Sequence, residues 1–249
     1  MIVPMQFQSW FASALQLLFP PRCISCQRAG WHLCPHCAQL VDPIGEKICG
    51  QCGRPQSTAT PKCVSCRMRH TFPLQMVRIA ALYTSPLREA VQALKYRHVT
   101  EIADPLARYL VVAMSQLARE SQLHQGVNSV TGPPIDSVVP VPLHEERRQE
   151  RGYNQSELLA EALCQRVQLP MQPQWLTRQR ATHSQVGLNV LERQENVAQA
   201  FVADRAVAGK KIILLDDVYT TGATMHACAE ALLTAGAQAI YGLALASPR

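Results

Sequence analysis

The sequence predicts an α/β fold: a mainly parallel sheet flanked by helices, with a small cysteine-rich domain in front of it. Three observations lead there. Four C-x2-C pairs crowd residues 23–66. From residue 77 onward, short apolar runs alternate with helical patterns, the order that successive βα units produce. One of those runs, Ile212-Ile213-Leu214-Leu215, is aliphatic at every position, as in a strand covered on both faces. It leads straight into Asp216-Asp217 and a hydroxyl-rich turn.

The 249 residues, 47% apolar and 17% charged, suffice for one good core and a small appendage. No run is long and apolar enough to span a membrane. Residues 1–22 carry Trp10, Phe11, Ala14, Leu15 and Leu18 at helical spacing, are interrupted by Gln6, Gln8 and Gln16, and end at Pro20-Pro21. A docked amphipathic helix fits this pattern better than a signal peptide, and a cytoplasmic protein is expected. The expected divisions are this helix (1–22), a double zinc ribbon (23–76) and an α/β domain (77–249).

Two thiolates spaced C-x2-C bind one ion from a single tight turn, and two such turns complete a tetrahedral four-cysteine site. Cys23/Cys26, Cys34/Cys37, Cys49/Cys52 and Cys63/Cys66 therefore predict two zinc ions. Sequential grouping needs only short connections, and interleaved grouping satisfies the same count. Disulfides do not suit repeated C-x2-C pairs in a chain without a secretory signal. His32 and His36 read as exposed ribbon residues, and Cys164 and Cys228 as small buried apolar side chains on helices. The net charge of +6 is concentrated here: residues 1–77 hold seven Lys and Arg against Asp42 and Glu46. A basic patch of this kind suits an anionic partner such as single-stranded DNA, although four thiolates per zinc offset part of it.

Downstream, a strand over 77–84, helices over 86–96 and 102–119, a strand over 135–142 and a helix over 154–167 are predicted. Further strands are expected near 174–177, 200–203, 211–216 and 239–246, and a helix over 224–235. The turn Val218-Tyr219-Thr220-Thr221-Gly222-Ala223-Thr224 thus opens a helix at the carboxyl end of a strand, where open α/β sheets place ligands. Backbone N–H groups from about Tyr219 to Thr224 would be unpaired there, the macrodipole favours an anion, and Gly222 lets the backbone close around a phosphate. Thr220, Thr221 and Thr224 add hydroxyl donors. Asp216 and Asp217 would repel the phosphate itself, so they suit ribose hydroxyls or a hydrated Mg²⁺. The plainer alternative is a βα turn whose Asp217 and threonines merely cap the helix.

The segment 140–155 combines a proline turn with Arg147, Arg148 and Arg151, the permissive Gly152, Tyr153 and the cap-competent Asn154. Guanidinium forks next to a helix start suit pyrophosphate; a solvated charged loop is the alternative, because Glu145, Glu146 and Glu150 cancel the arginines on paper. Residues 178–189, polar and glycine-containing, read as a flap over a substrate, with Arg178 and Arg180 toward a leaving group and His183 as an exposed loop histidine.

The run L-L-D-D-V-Y-T-T-G-A-T is similar to the phosphoribosyl pyrophosphate (PRPP) signature of type I phosphoribosyltransferases. Together with four C-x2-C pairs, V-P-V-P-L, R-x-x-R-G-Y-N-Q and R-x-R-x-T-x-x-Q-V-G-L, it makes nearly the whole chain resemble the ComF/GntX family. That resemblance implies a zinc ribbon before a type I phosphoribosyltransferase-like domain, and a role with incoming single-stranded DNA and helicase partners in competence. It implies Asp216 and Asp217 on the ribose hydroxyls, Thr220 to Thr224 on the 5′-phosphate, and Arg151, Gly152 and Tyr153 by the pyrophosphate. Thr220 stands where hypoxanthine-type enzymes have an aspartate. The motif argues for a ligand more firmly than for turnover, since such domains also serve as binding or sensing modules.

Overall fold

The computed structural model describes residues 20–69, 71–125, 135–179 and 200–249, with side chains described only to Ser121 in the second of these. The expected 1–22 helix, apart from its last residues, and most of the flap, including Arg180 and His183, lie outside the described residues.

The central sheet has four parallel strands, β1 (Val77–Leu82), β2 (Ser137–Pro140), β5 (Lys211–Val218) and β6 (Ala239–Ser247), in the order β1-β6-β5-β2. β3 (Leu176–Arg178) and β4 (Phe201–Ala203), expected as members of an α/β alternation, instead pair with each other as a separate antiparallel ribbon. Gln179 N–H to Ala200 C=O and Asp204 N–H to Trp175 C=O continue the ribbon at its two ends, so the two short runs satisfy each other's backbone groups. Strand alternation sends Ile213 and Leu215 to one face of the sheet and Ile212 and Leu214 to the other, and each set joins a different buried cluster. That is why every position of the run is apolar.

One face is covered by the helices α3 (Leu87–Tyr96), α4 (Ala103–Gln125) and α6 (Gln155–Val167), and the other by α7 (Ala223–Thr234) with the β3–β4 ribbon. The cysteine pairs are not a detached appendage. Cys23, Cys34 and Cys37, with the short α1 (Pro35–Gln39), pack in the α3–α4–α6 layer, where Tyr109 Oη donates to Ala38 C=O at 2.7 Å. Cys49, Cys52, Cys63 and Cys66, with α2 (Val64–Arg67), pack in the α7 layer on the opposite face. Between the two modules, residues 42–44 run antiparallel along the outer edge of β1: Leu82 N–H donates to Asp42 C=O and Ile44 N–H to Ala80 C=O. On the far side, Gln172 N–H donates to Val138 C=O, so both sheet edges are covered. Arg78 on β1 is fully buried, pairs with Glu120 of α4 and donates to Gly50 C=O at 3.0 Å. It ties the second cysteine module to the sheet and the sheet to α4.

Candidate functional site

The segment 145–151, expected as a loop, is a helix, α5 (Glu145–Arg151). Its Glu, Arg and Gln content favours helix, His144 Nδ1 accepts from Glu146 N–H at its start, and Gly152 ends it at φ 80. Positive φ is the αL conformation that glycine adopts without a steric cost. Asn154 then caps α6, its Oδ1 accepting from Ser156 N–H at 3.0 Å. Two helices thus converge on the carboxyl ends of β2 and β5.

There the acidic pair has partners that the sequence did not reveal. Lys95, in the last turn of α3, forms an ion pair with the buried Oδ2 of Asp217. Gln155 Nε2 donates to Asp217 Oδ1 at 3.5 Å, and Ser156 Oγ to Asp216 Oδ1 at 3.1 Å. Burial, with Asp217 next, pushes the Asp216 carboxyl up to about 7, against the pull of Lys95. Burial alone would lower the Lys95 pKa, but the Asp217 carboxylate outweighs it and holds the ammonium above its ordinary value. Two adjacent carboxylates are a hard oxygen set of the kind that suits a hydrated divalent cation.

A cleft of about 410 Å³ opens beside the pair, lined by Lys95, Tyr96, His98, Arg147, Glu150 and Arg151. Arg147 and Arg151 therefore reach it. Arg151 also pairs with Gln155 and stands 5.4 Å over the ring of Tyr96, which is 70% exposed. Arg148 points elsewhere, to Glu157 at 3.5 Å. Tyr153 Oη donates to Leu94 C=O, holding the end of α3 that carries Lys95. Arg178 sits at the end of β3 rather than in a flap; it faces the Phe201 ring at 5.5 Å, and burial lowers its pKa, with Arg147 and Asp216 among its electrostatic neighbours.

The turn after β5 departs from expectation at its first two residues. Val218 belongs to the strand ladder, and Tyr219 N–H, expected free, donates to Ala246 C=O at 2.8 Å. The Tyr219 side chain is buried beneath the turn. The turn proper therefore begins at Thr220. Gly222 caps α7 at φ 78, and a Cβ there would fall on the Tyr219 hydroxyl. The N–H groups of Gly222 to Met225 lack intrahelical acceptors by geometry, His226 N–H being the first to find one, in Gly222 C=O, and Thr221 Oγ1 takes that of Ala223 at 3.4 Å. Gly222→Ala is expected to cost about 1–2 kcal/mol from the αL penalty alone. Displacement of Tyr219 adds to that, and thermal melting checks the sum.

The cysteine sulfurs form two sets, Cys23/Cys26/Cys34/Cys37 and Cys49/Cys52/Cys63/Cys66, each with its atoms within 4.8 Å of one another. Grouping is sequential. A zinc–sulfur bond of about 2.3 Å puts tetrahedral sulfurs about 3.8 Å apart; Cys52–Cys63 and Cys49–Cys66 stand at 3.8 and 3.9 Å, and Cys26–Cys34 at 3.5 Å. Thiolate charge is met by Cys63 N–H to Cys49 Sγ at 3.2 Å and Cys34 N–H to Cys23 Sγ at 3.4 Å. Both sets fit zinc. Cys164 and Cys228 are buried and belong to neither set.

Comparison with known proteins agrees with this layout. Residues 14–67 match the double zinc ribbon domain and residues 154–247 the phosphoribosyl transferase domain. DNA utilization protein YhgH of Escherichia coli (strain K12) is 31% identical over 210 residues, covering 84% of this chain and 88% of that protein. Competence protein F of Haemophilus influenzae is 30% identical over 235 residues, 90% of this chain and 97% of its own. Competence protein ComFC of Bacillus subtilis is 30% identical over 212 residues, 82% and 79% respectively. With two four-cysteine sets bracketing a parallel sheet and a hydroxyl-rich turn at its carboxyl edge, the chain belongs to the ComF/GntX family, double zinc ribbons joined to a phosphoribosyltransferase domain.

Proposed function

We propose that the carboxyl edge of β5 and β2 binds PRPP with Mg²⁺, and that the domain transfers its phosphoribosyl group to an acceptor. One observation carries this reading: Asp216-Asp217, the Thr220–Thr224 turn, and the cations Lys95, Arg147 and Arg151 converge on one end of one sheet. The turn and the start of α7 hold the 5′-phosphate. Asp216 and Asp217 take the ribose hydroxyls, and Lys95, Arg147 and Arg151 take the pyrophosphate as it leaves the anomeric carbon. Mg²⁺, when bound, neutralises charge developing on that leaving group. Most of the rate then comes from positioning and electrostatics.

The test is a thermal-shift titration with PRPP and Mg²⁺. The wild type is expected to gain several degrees at saturation, and Asp216→Asn/Asp217→Asn to gain none; equal shifts in both proteins would overturn the assignment.

Binding is also expected to depend on pH. The ionised Asp216 is the form that accepts from hydroxyls or meets a cation, so affinity rises as pH increases through about 7. In the ligand-free fold the same raised pKa acts in the opposite sense. The stabilising contribution of neutral Asp216 is full below 3.8 and lost as pH rises through about 7. Calorimetric titrations at about pH 6 and about pH 8 should therefore differ more for the wild type than for Asp216→Asn, in which only the ligand's own phosphate, with its second pKa of about 6, still titrates.

A second reading concerns DNA. The relatives are named for DNA utilization and competence, and the first module exposes Trp31 beside Arg22 and Arg28. We propose this face as a contact for single-stranded DNA, combining stacking with phosphate pairing. Binding that does not weaken with added salt would count against it.

A further inference from the structure

The second cysteine module forms one wall of the phosphate turn. Arg69 Nη2 donates to Thr221 C=O at 3.1 Å. Beneath the turn, Tyr219 Oη lies 3.5 Å from His226 Nε2, and Phe72 meets the His226 ring edge-on at 4.5 Å. Tyr219, Met225 and Cys228 share one buried cluster with Cys49, Cys52, Cys63 and Cys66. A cleft of about 350 Å³ is lined by Arg54, Cys63 and Ser65 of the module together with Thr220 of the turn and Ser247.

Arg69 follows Cys66 by three residues, just past the end of α2. The sulfur cluster that holds Cys63 and Cys66 therefore also sets where Arg69 starts. At the other end of the contact, a trans peptide points its C=O and the following N–H in opposite directions. Holding the Thr221 carbonyl toward the module turns the Gly222 N–H away from it.

We infer that Arg69, held by the second four-cysteine module, is a positioning residue that fixes the phosphate turn, so that ribose-phosphate binding depends on the metal in that module. The inference rests on the ribose-phosphate reading of Thr220–Thr224. It makes the ribbon a working part of the site: its metal orients the peptide groups that meet the anion.

Two measurements on the zinc-loaded full chain test this: calorimetric affinity for ribose 5-phosphate, and hydrogen exchange at the amides of residues 220–225. Arg69→Ala is expected to weaken binding about tenfold, the upper range for one hydrogen bond, and to speed exchange across the turn. Arg69→Lys, which keeps a donor, should recover part of both. Cys66→Ser should cost at least as much as Arg69→Ala, and where it fails to fold, the Arg69 pair carries the test. Arg67→Ala removes an exposed charge two residues away and should leave both readouts at wild-type values. Wild-type binding with Arg69→Ala unchanged in affinity and exchange would overturn this inference alone. A loss in Arg67→Ala equal to that in Arg69→Ala would also overturn it, because net charge would then be the cause. A wild type that does not bind ribose 5-phosphate would overturn the ribose-phosphate reading and, with it, this one.

Discussion

Lys95→Met is expected to lower the unfolding free energy by about 3–5 kcal/mol, the cost of leaving a buried carboxylate without its counter-charge. The Asp217 side chain is 5% exposed and its Oδ2 has Lys95 as its ion partner, and Asp217 is itself part of what pushes Asp216 up to about 7. Methionine matches the length of the lysine stem but carries no charge. Denaturant titration reads the loss directly. Asp217→Asn in the Lys95→Met background should recover most of it, because a neutral amide needs no counter-ion. That recovery separates electrostatics from packing. A loss below about 1 kcal/mol would mean that water or the surrounding dipoles satisfy Asp217. The same substitution removes a cation from the cleft, so PRPP affinity should fall even where the fold survives, and Asp217→Asn should not restore it. Stability and affinity then part company, as expected of a residue serving both.

Removing zinc is expected to unfold the whole chain and not only its first third. Structural zinc contributes about 10–16 kcal/mol in small zinc-finger peptides, which equals or exceeds the net stability of an ordinary domain. The coupling comes from where the sulfurs sit. Each four-cysteine set belongs to one of the two clusters that bury opposite faces of the sheet. Thiols left without metal in both sets would open both layers. Chelator titration followed by circular dichroism and metal release should show two zinc ions leaving with a single loss of structure. A phosphoribosyltransferase melting transition unmoved by chelation would show that the modules are energetically separate from the sheet.

Much of the fold was legible in the sequence. The C-x2-C spacing named both metal sites, because two ligands on one tight turn are a local geometric requirement. The aliphatic run before Asp216 declared a doubly covered parallel strand, and Asn154 declared the start of α6. Local rules failed where distant residues compete. Glu145–Arg151 was expected as a loop, since charges cancel on paper, yet its residues are good helix formers between a cap and an αL glycine. Tyr219 looked like part of the anion turn, but its N–H is claimed by Ala246 and its ring by the space under Gly222. Arg148 and Tyr153 carried the right chemistry at the right place in the chain, and their first partners are Glu157 and Leu94.

Lys95 was missed for a plain reason. The helix Leu87–Tyr96 shows an apolar stripe and a basic last turn, as many helices do, and nothing within it points to residues more than a hundred positions away. Arg69 was hidden in the same way, counted only as one of seven charges in a basic region. The sequence by itself determined the chemistry: eight thiols for two metals, two carboxylates before a hydroxyl turn, and a set of arginines. Those follow from residue type and short spacing, which the covalent chain carries directly. Only the tertiary structure decided which of these groups meet. It set Lys95 against Asp217, sent Arg148 outward, and placed the second cysteine module against the phosphate turn, because contacts between distant residues depend on how the sheet orders its strands and which face each layer covers.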